Sequence, residues 1–481
     1  MTGPAHATGD SGGGLLTAGL IATLAWLPIP LGSNRPWSGW LMVALAAGLL
    51  GAWASRAVRG RPLGAQALRS SSVALGLLAL WVAVTALGAV ALPQWLVAAL
   101  APASLAAHAE AAGALETTVR PSLAVEPGAA LVQAARGAAC VALLVVAAVV
   151  AGTRRALAIV ATAMVAVGTL EAGYAVLAHL ARGAHGLWDP GWTGDAPTGT
   201  YATGTYVNRN HLAGLLELTL GLTLGLLAAG IGAVPATLRG ILRASGTPTV
   251  ALWAAAVVQG TALVLTASRG AVLALLAATA TVTLLVLGPR GARRALVALG
   301  TVGLIAVLTL GAERLTGKLA EQGLGSNRPA LAAVTSQMFL ANPWVGWGAG
   351  SFHAVFPAFR GPELGTAAYD HAHNDYLQLL AEQGLAGALP LLTAVALVLA
   401  LLARGARARR DPLGRGVATG ALIGCTALAL HGLVDFNFRI PANAAWFFAL
   451  LGLGLGAVTR PGHRSPVSHG GTTPADPGGS T

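Results

Sequence analysis

The sequence predicts an all-α integral membrane protein of about twelve transmembrane helices, with one large outer loop that contains short helices of its own. Three observations carry this expectation. Of the 481 residues, 55% are apolar and only 10% are charged, against roughly 25% charged in a soluble chain. Glycine occurs 64 times, and glycine is more frequent in transmembrane helices than in soluble ones. The apolar residues also fall into runs that approach the roughly 20 residues needed to cross a hydrocarbon core. A water-soluble multidomain protein is excluded on composition.

Taken in order, the runs place spans near Leu15–Leu31, Gly39–Ala54, Ser72–Leu92, Ala129–Val150, Ala156–Leu180, Leu212–Ile231, Val250–Thr266, Ala271–Leu287, Ala295–Leu310, Tyr376–Leu402, Val417–Val434 and Ala444–Val458. The first follows a stretch without lysine or arginine, so it lacks the charged head of a secretory signal and reads as a retained helix. Pro93–Leu115 is apolar but holds His108 and Glu110, which suits an interfacial helix. Cys140 and Cys425 both lie inside apolar runs, so neither a disulfide framework nor a paired-cysteine metal site is expected.

The basic residues test this count. Lysine and arginine total 29 against 17 acids, an excess that could mean nucleic acid, anionic lipid or topology. Arg56, Arg59, Arg61, Arg69, Arg154, Arg155, Arg239, Arg243, Arg290, Arg293, Arg294, Arg404, Arg407, Arg409, Arg410, Arg415, Arg460 and Arg464 all fall on one side if the spans alternate as drawn. That is the positive-inside pattern, which makes the side cytoplasmic and removes the need for a nucleic-acid partner. Both termini then lie in the cytoplasm. Residues 1–14 form the N-terminus, 15–200 about five spans with outer loops, and 201–459 a second transmembrane region including the outer loop 312–375. Residues 460–481, rich in Gly, Pro, Ser and Thr, form a disordered tail.

Chemistry is expected on the outer face, where basic residues mix with acids, aromatics and histidines in longer loops. Tyr201 to His211 brings Asn208, Arg209 and Asn210 to the start of the sixth span. Asn210 reads as a helix cap, with Arg209 beside a helix N-terminus that favours anions, or else as a snorkelling arginine. Ser268-Arg269-Gly270 separates two spans with almost no loop, so Arg269 sits at the outer boundary, where an unpaired structural role is costly. In the large loop, Asn327-Arg328-Pro329 opens a helical stretch to Leu340. The Gly346, Gly348 and Gly350 run after Asn342-Pro343 reads as a shaped turn, since no strand precedes it to make a phosphate loop.

The last cluster is Tyr369-Asp370-His371-Ala372-His373-Asn374-Asp375-Tyr376. Asn374 or Asp375 caps the next span, which leaves His373 at its rim. Histidine suits general acid–base work near neutrality, and nearby arginines would keep it neutral. The HxHxD spacing also resembles part of a metal-ligand set, but further ligands have no obvious source. Glu171 and Glu217 inside spans, and Asp435 with Arg439, read as structural ion pairs with arginines. Trp188, Trp192, Tyr201 and Trp347 read as interface anchors, with sugar stacking as the competing role.

Asn208-Arg209-Asn210, Ser268-Arg269-Gly270, Arg328 ahead of Asn342-Pro343 and the three glycines, and His371-Ala372-His373-Asn374 ahead of Glu382-Gln383-Gly384 appear in this order. The arrangement, from Tyr201 to about Gly387, resembles the O-antigen ligase and polymerase superfamily of bacterial polytopic glycosyltransferases. Asp435-Phe436-Asn437-Phe438 resembles that family's late helix pair, and Pro30 to Trp37 a turn of similar proteins. The resemblance implies an enzyme of the bacterial inner membrane that moves a glycan from undecaprenyl diphosphate to a sugar hydroxyl at the periplasmic face. It implies no cofactor and no metal, and an inverting reaction. It implies Arg209, Arg269 and Arg328 at the diphosphate and His373, less readily His371, as the base, with Asn208, Asn210, Asn374 and Asp375 in support. Ligation to lipid A–core, polymerisation and protein O-glycosylation are not separated by these motifs. A lipid-carrier flippase is the rival of another class; it would need polar breaks near the bilayer midplane in both halves.

Overall fold

In the computed structural model the chain is described over residues 11–60, 64–181, 201–231, 247–286, 288, 300, 327–366 and 368–460. The described residues are overwhelmingly α-helical, and their only β pairing is an isolated bridge between Ala91 and Ser122. In order the helices are α1 (Ser11–Trp26), α2 (Pro36–Val58), α3 (Ala65–Ser70), α4 (Ser72–Leu87), α5 (Gln94–Leu100), α6 (Pro102–Ala114), α7 (Pro127–Val150) and α8 (Arg154–Leu180). They continue with α9 (Arg209–Ile231), α10 (Thr247–Leu265), α11 (Arg269–Val286), α12 (Arg328–Ala341), α13 (Phe352–Phe359), α14 (Asp375–Ala408), α15 (Pro412–His431) and α16 (Pro441–Thr459).

Nine of these are long and apolar enough to cross a membrane: α2, α7, α8, α9, α10, α11, α14, α15 and α16, while α1 and α4 are apolar but shorter. Apart from residue 300, the expected span at Ala295–Leu310 lies outside the described residues, as do residues 312–326 of the expected outer loop and the tail from 461 onward. Where expected and observed ends differ, proline explains most of it. The first run stops at Trp26, because Pro28 and Pro30 cannot continue a helix. Leu31, Gly32 and Ser33 then take positive φ angles of 57°, 66° and 58°. α2, α7, α15 and α16 each begin with proline at their first helical position, where its missing N–H costs nothing. The expected interfacial helix is two short helices, α5 and α6, separated at Ala101 and Pro102.

α9 and α15 form the closest seam of the bundle. A Cβ on Gly221 would lie 2.5 Å from the Gly424 Cα, and one on Gly225 would overlap the backbone of Gly420. Gly416, Gly420 and Gly424 are four apart, so they line one face of α15. Small residues at this period let membrane helices approach backbone to backbone. The seam carries Glu217 of α9 to His431 at the end of α15. On the opposite face of the protein, Arg409 donates to the carbonyls of Val458 and Arg460, and Asp411 pairs with Arg460 and with Arg154 at 3.8 Å.

Outside the bundle α12 and α13 fold over a small core of their own. Leu331, Val334, Met338, Trp347, Phe352 and Phe356 are buried there against Ala103, Ala107 and Val125 of the earlier loop. Its attachment explains two of the glycine motifs. α14 is interrupted at Gly384, whose φ and ψ of 56° and −165° are non-helical. The Asn342–Gly348 turn docks into that interruption: Trp347 and Gly348 donate to the carbonyls of Ala381 and Glu382 at 3.0 and 2.8 Å, and Leu385 and Ala386 donate to those of Pro343 and Trp344, each at 2.9 Å. The helical bonds lost at the break are thus replaced across the turn, which the glycines serve as shaped backbone.

Candidate active site

The residues singled out from the sequence gather at one end of the bundle around a carboxylate. Asp435 follows α15 and its side chain is 1% exposed. Asn210 donates to its Oδ2 at 2.5 Å and the Phe436 amide to its Oδ1 at 2.8 Å. Arg328 Nη2 lies 3.6 Å from Oδ2, and His373 Nδ1 and His211 Nε2 lie 3.9 and 4.0 Å from Oδ1. The next residue, Phe436, meets the rings of His211, His371 and His373 at centroid distances of 4.7, 4.5 and 4.7 Å.

His373 reaches this position through local backbone. Asn374 caps α14, its Oδ1 accepting the amides of Tyr376 and Leu377 at 3.0 Å each, which satisfies two of the helix's free donors. The residue before the cap turns into the left-handed region, with φ of 51° at His373. That conformation is uncommon outside glycine, though histidine is among the residues that enter it more often, and it persists where the surroundings hold it. Burial keeps the imidazole below the ordinary histidine range; Asp435 pulls it back up and Arg328 pushes it down. The ring is therefore neutral at pH 7 and able to accept a proton.

His371 turns elsewhere. Its Nδ1 lies 3.1 Å from Gln378 Nε2, which also donates to Glu382 at 2.9 Å, while Gln378 Oε1 accepts the Ala372 amide. Burial, and Arg439 next to it in importance, bring His371 down to about 4. Glu382 is paired with Arg439 at 2.5 Å, and Arg439 stands 3.9 Å from Asp375. Asp375 also accepts the Phe438 amide, and its own amide donates to the carbonyls of Gly432 and Asp435. Asp375 therefore ties the start of α14 to the 432–439 segment instead of facing solvent.

Each of the three arginines begins a helix beside this core. Arg209 begins α9, stacks 3.8 Å above the Tyr201 ring, and reaches the Thr266 carbonyl at 3.5 Å. Thr266 belongs to the same short turn as Ser268 and Arg269. Arg269 is exposed at the start of α11, while Ser268 Oγ lies 3.5 Å from His431 Nε2 and Gly270 packs against His431 and Val434. Arg328 begins α12 and is 46% exposed despite its approach to Asp435.

Several expectations need correction. Asn210 does not cap α9; Asn208 Oδ1 accepts the Asn210 amide at 2.8 Å, and Asn210 instead holds Asp435. Glu217 is paired with His431 at 3.0 Å and Glu171 accepts from the Thr205 amide and hydroxyl, and among the described residues neither has an arginine partner. Asp435 pairs with Arg328, while Arg439 serves Glu382 and Asp375. Trp347 is buried in the α12–α13 core, donating to the Met338 carbonyl, which excludes both interface anchoring and sugar stacking. Trp188 and Trp192 lie outside the described residues. Among the described residues no three His, Cys, Asp or Glu side chains group as a metal site; His371 and His373 face different partners. Sequence reasoning passed over His211 and His431, although a histidine in the first or last turn of an apolar run was a usable signal.

A multi-pass helical membrane protein with cations and a neutral histidine gathered at one end of its bundle has the makings of a group-transfer site for anionic, lipid-borne substrates. A family model described as O-antigen ligase matches residues 254–392, which include Arg269, Arg328, His371 and His373. Over these residues the chain is similar to the O-antigen ligase and polymerase superfamily of membrane glycosyltransferases. No curated protein matches the chain.

Proposed function

We propose that this protein transfers a glycan from undecaprenyl diphosphate to a sugar hydroxyl, with the site on the periplasmic face of the bacterial inner membrane and both termini in the cytoplasm. The observation that carries the proposal is the shared carboxylate: Asp435 stands between the neutral His373 and Arg328, so a proton acceptor and an anion-binding cation are held side by side. The acceptor hydroxyl gives its proton to Nε2 of His373 as its oxygen attacks the anomeric carbon, and the positive charge the ring then carries is met by Asp435, 3.9 Å from Nδ1. The bond from that carbon to the diphosphate oxygen breaks, and the configuration inverts. Arg209, Arg269 and Arg328 take the diphosphate, since guanidinium stays charged and matches phosphate oxygens, and the charge they meet grows as the leaving group departs. No metal is required. Asn208, Asn210, Asn374 and Asp375 hold these groups in place.

The acceptor is lipid A–core or a growing polysaccharide; protein O-glycosylation uses the same chemistry on another acceptor. A flippase reading is weaker because the cationic groups lie at one end of the bundle. The test is glycan transfer by purified protein from undecaprenyl-diphosphate oligosaccharide to candidate acceptors. Arg269→Ala and His373→Ala should each lower the rate at least 100-fold, the size of a general-base contribution. Folded variants that both keep wild-type rates would overturn the assignment.

A further inference from the structure

A cavity of about 150 Å³ adjoins the site within the bundle. Asp375, Tyr376 and Arg439 line it on the side of the site, and Met42, Trp81, Leu391, Val395 and Phe448 are among its apolar walls. Leu392, which also lines it, is 37% exposed on the outside of α14, so the slot reaches the lipid-facing surface. Besides Arg439, which is paired with Glu382, a second cation lines it. Arg136 belongs to α7, and its guanidinium lies against Gly39, where an added Cβ would be 2.9 Å from Nη2. Gly39 is one turn from the start of α2, so the guanidinium sits near the headgroup level at the end of the bundle that holds the site. Among the described residues no carboxylate forms an ion pair with it; Gln133 and the neutral, buried thiol of Cys140 line the cavity beside it. An arginine within a span is costly unless it faces a partner, a cavity or a pathway.

We propose that this slot receives one hydrocarbon chain of a lipid-borne acceptor, with Arg136 holding that lipid's phosphate and the acceptor's sugar passing Asp375 and Arg439 toward His373. The charge of Arg136 selects an anionic headgroup, and the apolar walls below it select a single chain. The slot is walled by α2, α4, α7, α14, α15 and α16, whereas Arg209, Arg269 and Arg328 belong to α9, α11 and α12. Two lipids can therefore approach from two sides of the same histidine. The assignment of the chain to the acceptor rests on the reading of His373 as base; the existence of the lipid site does not.

Equilibrium binding to the full-length protein in detergent uses radiolabelled farnesyl phosphate, with unlabelled farnesol and inorganic phosphate as competitors. Farnesyl phosphate should bind, Arg136→Ala should weaken it at least tenfold, Arg136→Lys should restore part of the loss, and Ala444→Phe, which fills the slot, should abolish it. Equal affinity in wild type, Arg136→Ala and Ala444→Phe, with all three eluting as the same folded species, overturns the site. Competition by farnesol as strong as by farnesyl phosphate itself overturns the role of Arg136. In the transfer assay Ala444→Phe should raise KM for the acceptor tenfold or more and leave KM for the donor unchanged; a rise confined to the donor overturns the acceptor assignment and leaves the slot as a donor-chain site. Loss of the proposed roles of Arg269 and His373 would appear in transfer rates alone and leave the binding result untouched.

Discussion

The docking of the Asn342–Gly348 turn into the break of α14 can be isolated by two alanine substitutions. Gly384 and Gly365 share a conformation, with φ and ψ of 56° and −165° at the first and 60° and −148° at the second. Alanine at either position is strained, by about 1–3 kcal/mol for a sparsely populated backbone region. Their surroundings differ. A Cβ on Gly365 meets nothing within 4 Å, while one on Gly384 would stand 2.5 Å from the Trp344 carbonyl carbon and oxygen and the Val345 nitrogen. Those are backbone atoms that cannot rotate away. Gly384→Ala therefore adds about 1–3 kcal/mol of overpacking, and pushing the turn out weakens the four bonds across it, each worth about 1 kcal/mol net. The expected cost is about 1–3 kcal/mol for Gly365→Ala and about 3–7 kcal/mol for Gly384→Ala. Hydrogen exchange in detergent reads it locally: residues 343–348 and 381–386 should lose protection in Gly384→Ala and keep it in Gly365→Ala. Equal exchange in the two variants would refute the docking argument, because it would mean that the backbone conformation alone sets the cost.

Three further outcomes are expected. His371 has a folded value of about 4 against an ordinary 6.5, so its contribution to stability is full above pH 6.5 and is lost as pH falls toward 4; His371→Asn should flatten thermal stability across that window. If His373 is the base, its depressed pKa sets the acid limb of the transfer rate below 6.5, with Arg328→Ala moving the limb to higher pH and Asp435→Asn moving it lower in a pH–rate profile. Finally, His431→Leu leaves the fully buried Glu217 without its 3.0 Å partner, a loss of about 3–5 kcal/mol, so this variant should unfold at markedly lower temperature, while Glu217→Gln, which keeps a hydrogen-bonding group facing His431, should lose less.

Most of the helical plan was legible because a span is written in a continuous apolar run, and composition alone dictates it. What the runs could not reveal were the breaks. Gly384 lies inside one apolar stretch and interrupts α14 only because a turn forty residues earlier replaces the lost bonds, a tertiary compensation that no window of sequence contains. The site was legible in its cations and in His373, since polar residues at the ends of apolar runs stand out. Their pairing was not. Asn210 looks like a cap beside a helix start, yet Asn208 does that work and Asn210 reaches Asp435, which lies 225 residues away. Arg439 and Asp435 are four apart and look like partners, but the 3₁₀ turn at Asn437–Arg439 sends them to different acids and bases.

The placement of Asp435 bears on why the histidine is neutral and still useful. A buried imidazole beside arginine alone would be held so far from protonation that it would be a weak proton acceptor. A carboxylate beside it alone would favour the charged ring and occupy it before the substrate arrived. At this site the two influences oppose each other through one residue, since Asp435 stands 3.9 Å from His373 and 3.6 Å from Arg328. A diphosphate reaching Arg328 would draw that cation's field away from the imidazole, and His373 would become more basic as the anionic substrate binds. The base would thus be strongest when the donor is seated. In the absence of donor, His373 should titrate lower than with inorganic diphosphate bound, a difference that the imidazole signals of the protein can report; an unchanged titration would mean that Arg328 is not the cation through which the anion acts.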